Sequence, residues 1–418
     1  MDRIEEMIQK AEADLTPQFA EIDRNEEKRT RQVLDLFREN QVSYRHFAPT
    51  SGYGYDDIGR DTLERIYAGV FHTEAALMRP HIASGTAALS LTLFGLTRPG
   101  ERILSATGMP YDTLLGVIGI GKKAQAGSLK EMGVEFGAVE LKDGKIDLEA
   151  VEQAMTPNTT LVIAQRSRGY AWRPSLMPEA FGPLAEMLHR KYPGVRLMVD
   201  NCYGEFVREK EPTDFGADVC VGSLIKNPGG GIAPTGGYVA GNAEAVERVA
   251  WRLTAPGLGR ELGSYAGSYR PFYQGLFMAP HTVAQALKTA LLAARLFERL
   301  GLEASPGSRE PRADIIQAIK MQSGERLVAF CQGLQSASPV DSMALPEPWD
   351  MPGYDDPVVM AAGTFVAGAS IELSADGPMR PPYTAYMQGG LTYSHGRIAM
   401  AEALKRMIQN GSIPSESA

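Results

Sequence analysis

Residues 218–231 have the sequence DVCVGSLIKNPGGG, in which a short apolar run ends just before Lys226 and three consecutive glycines. Residues 195–206, VRLMVDNCYGEF, have the same form, since an apolar run leads to Asp200 and then to a loop. Short apolar runs of this kind are typical of strands buried on both faces of a parallel sheet. Because the carboxyl ends of parallel strands line a ligand crevice, we expect Asp200 and Lys226 to meet there.

Around these two segments, candidate strands and helices alternate from Asp61 to about Gly241. This alternation predicts an α/β domain with a mainly parallel central sheet. The other candidate strands are 102–106, 135–141, 160–165 and 237–241, and the candidate helices are 62–71, 86–96, 148–155, 178–191, 243–253 and 282–300.

Three domains are predicted. Residues 1–60 form a helical arm and a loop rich in tyrosine and glycine, which we expect to pack on something else, such as a second subunit. Residues 61–300 form the large domain, and residues 301–418 form a smaller α+β domain that begins with a linker at 301–314. In the smaller domain we predict helices at 315–334 and 396–409, and strands near 358–373 and 385–388.

Composition restricts the class of protein. Apolar residues make up 44% of the 418 residues, the net charge is -8 and no stretch is strongly basic, which argues against a nucleic-acid partner. The three cysteines are widely spaced and the six histidines show no paired spacing, so we expect neither a disulfide framework nor a metal site. No apolar run reaches the ~18 residues that a transmembrane helix needs, and the charged N-terminus has no signal-peptide pattern. We therefore predict a cytoplasmic protein without a membrane partner.

Residues 81–96, HIASGTAALSLTLFGL, place Ser84, Gly85 and Thr86 at the start of an apolar helical run. The start of a helix offers free N–H groups and the positive end of the helix dipole, which together favour a phosphate. Gly85 allows close approach of the backbone, and the two hydroxyls add donors. The alternative is that Ser84 only caps the helix.

The residue types at the two strand ends suit pyridoxal phosphate (PLP). A carboxylate at Asp200 can keep a pyridinium nitrogen protonated, and Lys226, if desolvated, gains nucleophilicity from a lowered pKa. Ser223 could donate to the same phosphate, and Tyr111, which follows another candidate strand, could stack on the cofactor ring. The alternatives are an Asp200 that caps a turn and a Lys226 that lies in solvent.

Residues 116–124, GVIGIGKKA, resemble a nucleotide-binding glycine loop, which would make the chain a nicotinamide-dependent oxidoreductase. Lys123 replaces the Ser or Thr of a P-loop, and no clean strand precedes the segment. We therefore rank this alternative below PLP. A binding protein without catalytic activity is a further alternative.

The chain resembles the fold-type I, aspartate-aminotransferase-like PLP enzymes, within them the cystathionine/methionine gamma-lyase group, and within that group the aluminium-resistance branch. The segments that carry this resemblance are GYGYDDIGRDTLE (52–64), SATGMPYDTL (105–114), QRSRGYAWRPSL (165–176), SLIKNPGGGIAPTGGYVAG (223–241) and ADGPMRPPYTAYMQGGLTYSHG (375–396).

The resemblance implies roles for the cofactor site. Lys226 would hold PLP as a Schiff base and move protons, Asp200 would pair with the pyridinium, and Tyr111 would stack on the ring and protonate the leaving group. The phosphate would be held by Ser84, Gly85, Thr86 and Ser223, and, from a neighbouring subunit, by Tyr55 (or Tyr53) and Arg60. These lyases have a hydroxyl residue before the lysine, where this chain has Ile225.

The resemblance also implies a homo-oligomer, either a dimer or a tetramer, that shares its active sites and eliminates a thiol from a sulfur-containing amino acid. For the substrate carboxylate we expect Arg380 first and Arg397 second, because planar guanidinium groups pair well with carboxylates. Arg166 and Arg168 could contact the cofactor or the substrate, or form surface salt bridges. An aminotransferase, an aldolase and a β- or γ-replacement enzyme are the alternatives with the same cofactor.

Overall fold

The structure of the chain is a computed structural model, which describes residues 3–121, 126–351 and 356–414. Within these residues the helices are α1 Arg3–Glu39, α2 Ile58–Val70, α3 Gly85–Leu96, α4 Asp112–Ile118, α5 Leu148–Ala154, α6 Gly182–Lys191, α7 Ala243–Leu253, α8 Arg270–Arg299, α9 Gly324–Ser336 and α10 Tyr393–Gln409. The strands are β1 Ala75–Arg79, β2 Arg102–Ser105, β3 Glu135–Ala138, β4 Thr159–Gln165, β5 Arg196–Asp200, β6 Val219–Ser223, β7 Gly237–Gly241, β8 Ala304–Ser305, β9 Gln317–Lys320, β10 Val358–Ala361, β11 Ser374–Pro378 and β12 Thr384–Gln388.

The larger sheet has the strand order β1-β7-β6-β5-β4-β2-β3. Strand β7 runs antiparallel to both of its neighbours, and the other pairs are parallel. The mainly parallel sheet that the sequence predicts is confirmed, and every strand predicted for it is present. Strand β1 was not predicted, because its sequence AALMR offers four apolar residues, too few to separate a strand from the end of the preceding helix.

The smaller sheet is antiparallel throughout, in the order β10-β11-β12-β9-β8. The helix predicted at 315–334 is wrong in its first part, where β9 precedes α9, since a strand of only four residues is too short for its periodicity to be recognised. Strand β11 was not predicted because its sequence, SADGP, consists of residues with low strand propensity. Within the described residues, no helix is both long enough and apolar enough to span a membrane.

Helix α1 packs on the rest of its own chain, and the predicted contact of the arm with a second subunit stays a prediction. Ile8 and Ala11 are fully buried in the apolar core that α9, α10 and the smaller sheet share. Also in the first half of the helix, Asp14 accepts hydrogen bonds from Arg295 of α8, at 2.7 Å, and from Arg299, at 2.5 Å. The arm is therefore part of the folded unit, while the domain limits 1–60, 61–300 and 301–418 stay predictions.

We expect Ile8→Ala to destabilise the protein, because the change removes a side chain that is 0% exposed. Truncations of this kind lower the free energy of unfolding by about 2–5 kcal/mol. Chemical denaturation followed by circular dichroism measures the loss, with the exposed Lys10→Ala as the control. Equal effects of the two changes would show that α1 is not docked on the core.

Candidate active site

Lys226 and Asp200 meet at the carboxyl edge of the larger sheet, as the sequence predicts. Asp200 ends β5 and is 8% exposed, and Lys226 follows the neighbouring strand β6. The Lys226 Nζ atom lies 4.0 Å from the centroid of the Tyr203 ring. The amine is therefore held against an aromatic face, and Lys226 is not a loop residue that lies in solvent.

The pKa of Lys226 does not shift as predicted. Burial lowers this pKa, but Cys202, Tyr203 and the Asp200 carboxylate lie close enough to raise it, and the net direction is upward. Burial raises the pKa of Asp200, while Lys226 and the backbone N–H of Cys202 oppose that rise. The Cys202 N–H donates to Asp200 Oδ1 at 3.1 Å. The prediction of a lowered lysine pKa is wrong, because attraction by nearby acidic groups outweighs desolvation.

Helix α3 begins beside the end of β6. The Ser84 Oγ atom accepts from the Ala87 N–H at 3.1 Å, so Ser84 is the N-cap that the alternative interpretation proposed. A Cβ atom on Gly85 would lie 3.2 Å from the Cβ of Ser223 and 3.7 Å from the Sγ of Cys202. The start of α3 therefore packs closely on the end of β6, and residue 85 has little room for a side chain. This close packing brings Ser84, Gly85 and Thr86 next to Ser223.

Tyr111 joins this place from the start of α4. Its hydroxyl lies 2.9 Å from the Thr86 Oγ1 atom, and its backbone N–H donates to Gln165 Oε1 at 3.2 Å. Burial and the charge of Asp200 raise the pKa of Tyr111, which keeps the phenol protonated and able to donate. Gln165, which supports Tyr111 from the end of β4, was missed by the sequence analysis.

Tyr203 is the most prominent residue that the sequence analysis missed. Its backbone has φ +72°, a left-handed conformation that is rare for an aromatic residue. Its ring faces Lys226 and packs against the cluster of Ile316, Ala318 and Tyr386, in which Ala318 and Tyr386 belong to strands of the smaller sheet. The signal for it was its position in the loop after Asp200, three residues beyond the carboxylate. Tyr203 therefore connects the two sheets at the site.

Among the four candidate arginines, Arg168 has the most buried donor atoms without a hydrogen-bond partner in the described residues. It is 2% exposed, and its Nη2 atom donates to Ser305 Oγ at 3.2 Å. Its Nε and Nη1 atoms have no hydrogen-bond partner in the part of the chain that the structure describes. Burial lowers the pKa of Arg168, Asp314 opposes that shift, and the side chain acts electrostatically on Tyr386. Tyr386 in turn stacks on Tyr170, with ring centroids 5.1 Å apart.

The other three candidate arginines have different surroundings. Arg397 pairs with Glu5 and Glu12 of α1, so its donors hold two helices together, and the prediction that it binds substrate is corrected. Arg166 is 0% exposed and bonds to Asn201 and Glu211, so the surface salt bridge proposed as an alternative for it is wrong. Arg380 is half-exposed and pairs with Asp356 at 2.9 Å.

The residues predicted to reach a neighbouring subunit divide into two groups. Tyr53 and Tyr55 are exposed, and their rings stack with centroids 5.6 Å apart. Arg60 is 1% exposed, its Nη1 atom donates to the Gly54 carbonyl at 2.8 Å, and its Nε atom lies 2.7 Å from Asp61. The Arg60 Nη2 atom has no hydrogen-bond partner in the described residues, so its role at a neighbouring subunit stays a prediction, as does that of the two exposed tyrosines.

The glycine segment at 116–124 does not form a nucleotide site in its described part. Residues 116–118 belong to helix α4, so no strand leads into the glycines as a dinucleotide-binding turn requires. Lys122, Lys123 and Ala124 lie outside the described residues.

The strand order and the lysine, carboxylate and helix start at the sheet edge define a fold-type I PLP-dependent enzyme. The PLP-dependent protein YhfS from Escherichia coli shares the fold, with a TM-score of 0.61 at 17% identity over 93% of this chain and 97% of that one. The nicotinamide alternative has no support.

A family model described as methionine gamma-lyase matches residues 4–408, and the chain belongs to this family. The solved structure of a carbon-sulfur lyase involved in aluminum resistance from Clostridium novyi NT is 49% identical, with a TM-score of 0.93, and the match covers 97% of this chain and 96% of that one. The uncharacterized protein YnbB of Bacillus subtilis is 50% identical over 399 residues, 95% of each chain. L-methionine gamma-lyase of Pseudomonas putida is 29% identical over 201 residues, 48% of this chain and 45% of that one. The chain is thus a PLP-dependent carbon–sulfur lyase, and the predicted resemblance is confirmed.

We expect the stability of the protein to depend on pH through Glu205, which is 0% exposed and accepts from the Tyr238 hydroxyl at 2.9 Å. Burial raises the pKa of Glu205 to about 8. Between the ordinary carboxyl pKa and this value, the folded state holds a proton that the unfolded state releases. The free energy of unfolding therefore falls as pH rises through this window, by at most roughly 1.4 kcal/mol per pH unit.

The variant Glu205→Gln removes this contribution, so we expect its stability relative to wild type to improve from pH 5 to pH 8. Urea unfolding at both values measures the difference, and the exposed Glu347→Gln is the control. A constant difference across that range would contradict the raised pKa.

Proposed function

We propose that this chain binds PLP at the carboxyl edge of the larger sheet and eliminates a thiol from a sulfur-containing amino acid. The single observation that carries the proposal is the Lys226 amine, held 4.0 Å from the Tyr203 ring beside the buried carboxyl of Asp200. The residues present fit this cofactor, because an amine, a carboxyl and a helix start with hydroxyl donors lie around one space. When bound, PLP supplies an electron sink that stabilises negative charge at the substrate Cα.

Four residues would hold the phosphate: Ser84, Gly85 and Thr86 at the start of α3, and Ser223 at the end of β6. The close approach at Gly85 and the N–H groups at the helix start support this assignment. Ile225 lacks the hydroxyl of related lyases, and its N–H donates to Ser223 Oγ at 3.3 Å. Ser223 therefore takes part in fixing the lysine loop as well as in binding an anion.

Proton transfer is assigned to three side chains. The Lys226 amine would be the covalent anchor of the cofactor and, once displaced by the substrate amine, the base at Cα. The Asp200 carboxylate would keep a proton on the ring nitrogen. Tyr111 would donate its phenolic proton to the departing sulfur, a role for which its raised pKa keeps it in the protonated form.

Arg168 is our first choice for the substrate carboxylate. It is buried, and it has two N–H-bearing atoms without partners in the described residues. It also lies near Tyr386, a member of the apolar cluster against which Tyr203 packs. Arg380 is the alternative, since an exposed pair with Asp356 is easily exchanged for another anion. Both guanidinium groups lie close enough to Tyr386 to act electrostatically on it.

We also propose that a homo-oligomer, either a dimer or a tetramer, completes the site. The exposed pair Tyr53 and Tyr55 supports this, because amphipathic aromatic side chains are typical of interfaces. A cytoplasmic location is supported by three free cysteines, all of them buried.

Replacing Lys226 tests the anchor. We expect borohydride reduction of the loaded enzyme to attach the cofactor to the peptide that contains Lys226, as read by mass spectrometry. Lys226→Ala should lose that label and about a thousandfold of the activity, because a positioned proton carrier contributes up to ~10⁴-fold. The exposed Lys405→Ala is the control. A fully active Lys226→Ala variant would refute the proposal that Lys226 anchors the cofactor.

The products distinguish the lyase from its alternatives. With L-methionine, L-cysteine and L-cystathionine as test substrates, we expect thiol, 2-oxo acid and ammonia in equal amounts from whichever amino acid reacts. An aminotransferase would release no ammonia, and a replacement enzyme would require a second thiol.

The two arginine candidates are separated by matched variants. We expect Arg168→Ala to raise KM by about 10- to 100-fold, because a charge-assisted hydrogen bond to the substrate is lost, whereas Arg380→Ala changes KM less than threefold. Steady-state kinetics on the same amino acid measure both. The opposite ranking would assign the carboxylate to Arg380.

A further inference from the structure

A buried network of charged side chains contacts Asn201, the residue that follows Asp200. Its centre is Glu211, a residue in the loop between β5 and β6 that is 0% exposed. The Arg29 Nη2 atom, from α1, donates to Glu211 Oε1 at 2.7 Å, and the Arg166 Nη1 atom lies 3.4 Å from Glu211 Oε2. Two guanidinium groups from distant parts of the chain therefore pair with one carboxylate out of contact with solvent.

Glu211 also holds the loop that begins at Asp200. Asn201, the next residue, donates from Nδ2 to Glu211 Oε2 at 3.1 Å and accepts from Arg166 Nη1 at 2.7 Å. At the other end of the loop, the Phe206 N–H donates to Glu211 Oε1 at 3.0 Å. One carboxylate thus fixes both ends of the segment 201–206.

The segment between these two anchors needs such support. Tyr203 and Phe206 have φ +72° and +64°, left-handed conformations that cost free energy in residues other than glycine. Asn201 and Glu205 are both 0% exposed, so the loop lies in the interior of the protein. Without its anchors, we expect the backbone to relax, and the Tyr203 ring would then move away from Lys226.

The same network supports the other side of the site. The backbone N–H of Arg166 donates to the Asp200 carbonyl at 3.1 Å. The residue before it, Gln165, accepts the backbone N–H of Tyr111 at 3.2 Å. The end of β4, which carries Gln165, is therefore held by two bonds of Arg166. The backbone of Arg166 bonds to the Asp200 carbonyl, and its side chain pairs with Glu211.

We propose that Glu211 is a positioning residue, which holds the Asp200 carboxylate and the Tyr203 ring in place through Asn201 and Phe206. Arg29 and Arg166 fix the orientation of Glu211, and Arg29 makes helix α1 part of the support of the site. This inference rests on the proposed function in one respect, because it takes Asp200 as the partner of the cofactor's ring nitrogen.

The test compares Glu211→Gln and Asn201→Ala with Glu209→Gln, a control whose carboxylate is exposed and pairs with Lys28. Asn201→Ala cuts the link to Asp200 while leaving the pairing between Arg29 and Glu211 intact, so it decides the matter alone if Glu211→Gln does not fold. Three quantities are measured: amide hydrogen exchange of residues 200–206 in cofactor-free protein, the dissociation constant for PLP, and the pH dependence of the visible spectrum of the loaded enzyme.

We expect both variants to exchange faster at residues 200–206, with unchanged exchange in α10. We also expect them to bind PLP about tenfold or more weakly and to shift the spectral midpoint by roughly one pH unit, because the carboxylate is no longer held against the ring nitrogen. The control should match wild type in all three. Exchange, affinity and spectrum that all stay at wild-type values in a folded variant would overturn the inference.

The exchange measurement keeps this inference separate from the proposed function. A wild-type protein that binds no PLP would refute the proposed function, whereas faster exchange at 200–206 would still support the role of Glu211 in holding the loop. A wild-type protein that binds PLP through Lys226, together with variants that behave like it, would refute the role of Glu211 alone.

Discussion

The parallel pairing of β5 with β6 is the constraint on which the site depends. In this register Asp200 lies opposite Val221, so that the carboxylate, and the Lys226 amine three residues beyond the end of β6, emerge at the same edge of the sheet. Asp200 is buried and Lys226 is partly buried, and an isolated charge is costly away from water. Cys202, Tyr203 and the Asp200 carboxylate together raise the pKa of Lys226 in spite of burial. The start of α3 packs on the same edge because glycine stands at position 85.

The parts of the site that follow from local pattern were predictable from the sequence. Apolar runs that end in Asp200 and Lys226, and a Ser-Gly-Thr helix start, are local signals whose meeting place follows from the rules of parallel sheets. The arginines were not predictable in this way. Arg397 meets Glu5, a residue 392 positions away, and nothing local distinguishes such a pair from a free guanidinium. Tyr203 was missed because its left-handed backbone is imposed by tertiary contacts and not by its own propensity.

Helix α1 illustrates how much of the support comes from distant sequence. Its first half carries Glu5, Glu12 and Asp14, which pair with arginines of α10 and α8. Its second half delivers Arg29 to the buried carboxylate behind Asp200. A charged amphipathic helix without a chemical motif thus contacts α10, which packs with the smaller sheet, and also Glu211, which lies beside the end of β5. The sequence predicted the helix correctly but offered no local sign of its partners.

The environment of Cys202 has a practical consequence. Its thiol is 4% exposed, and burial raises its pKa well above the ordinary value, so the reactive thiolate form is scarce in the folded protein. Alkylating reagents at neutral pH can modify it only when the loop after Asp200 opens. The rate at which Cys202 is alkylated therefore measures how often that loop opens, and no cysteine has to be introduced for the purpose.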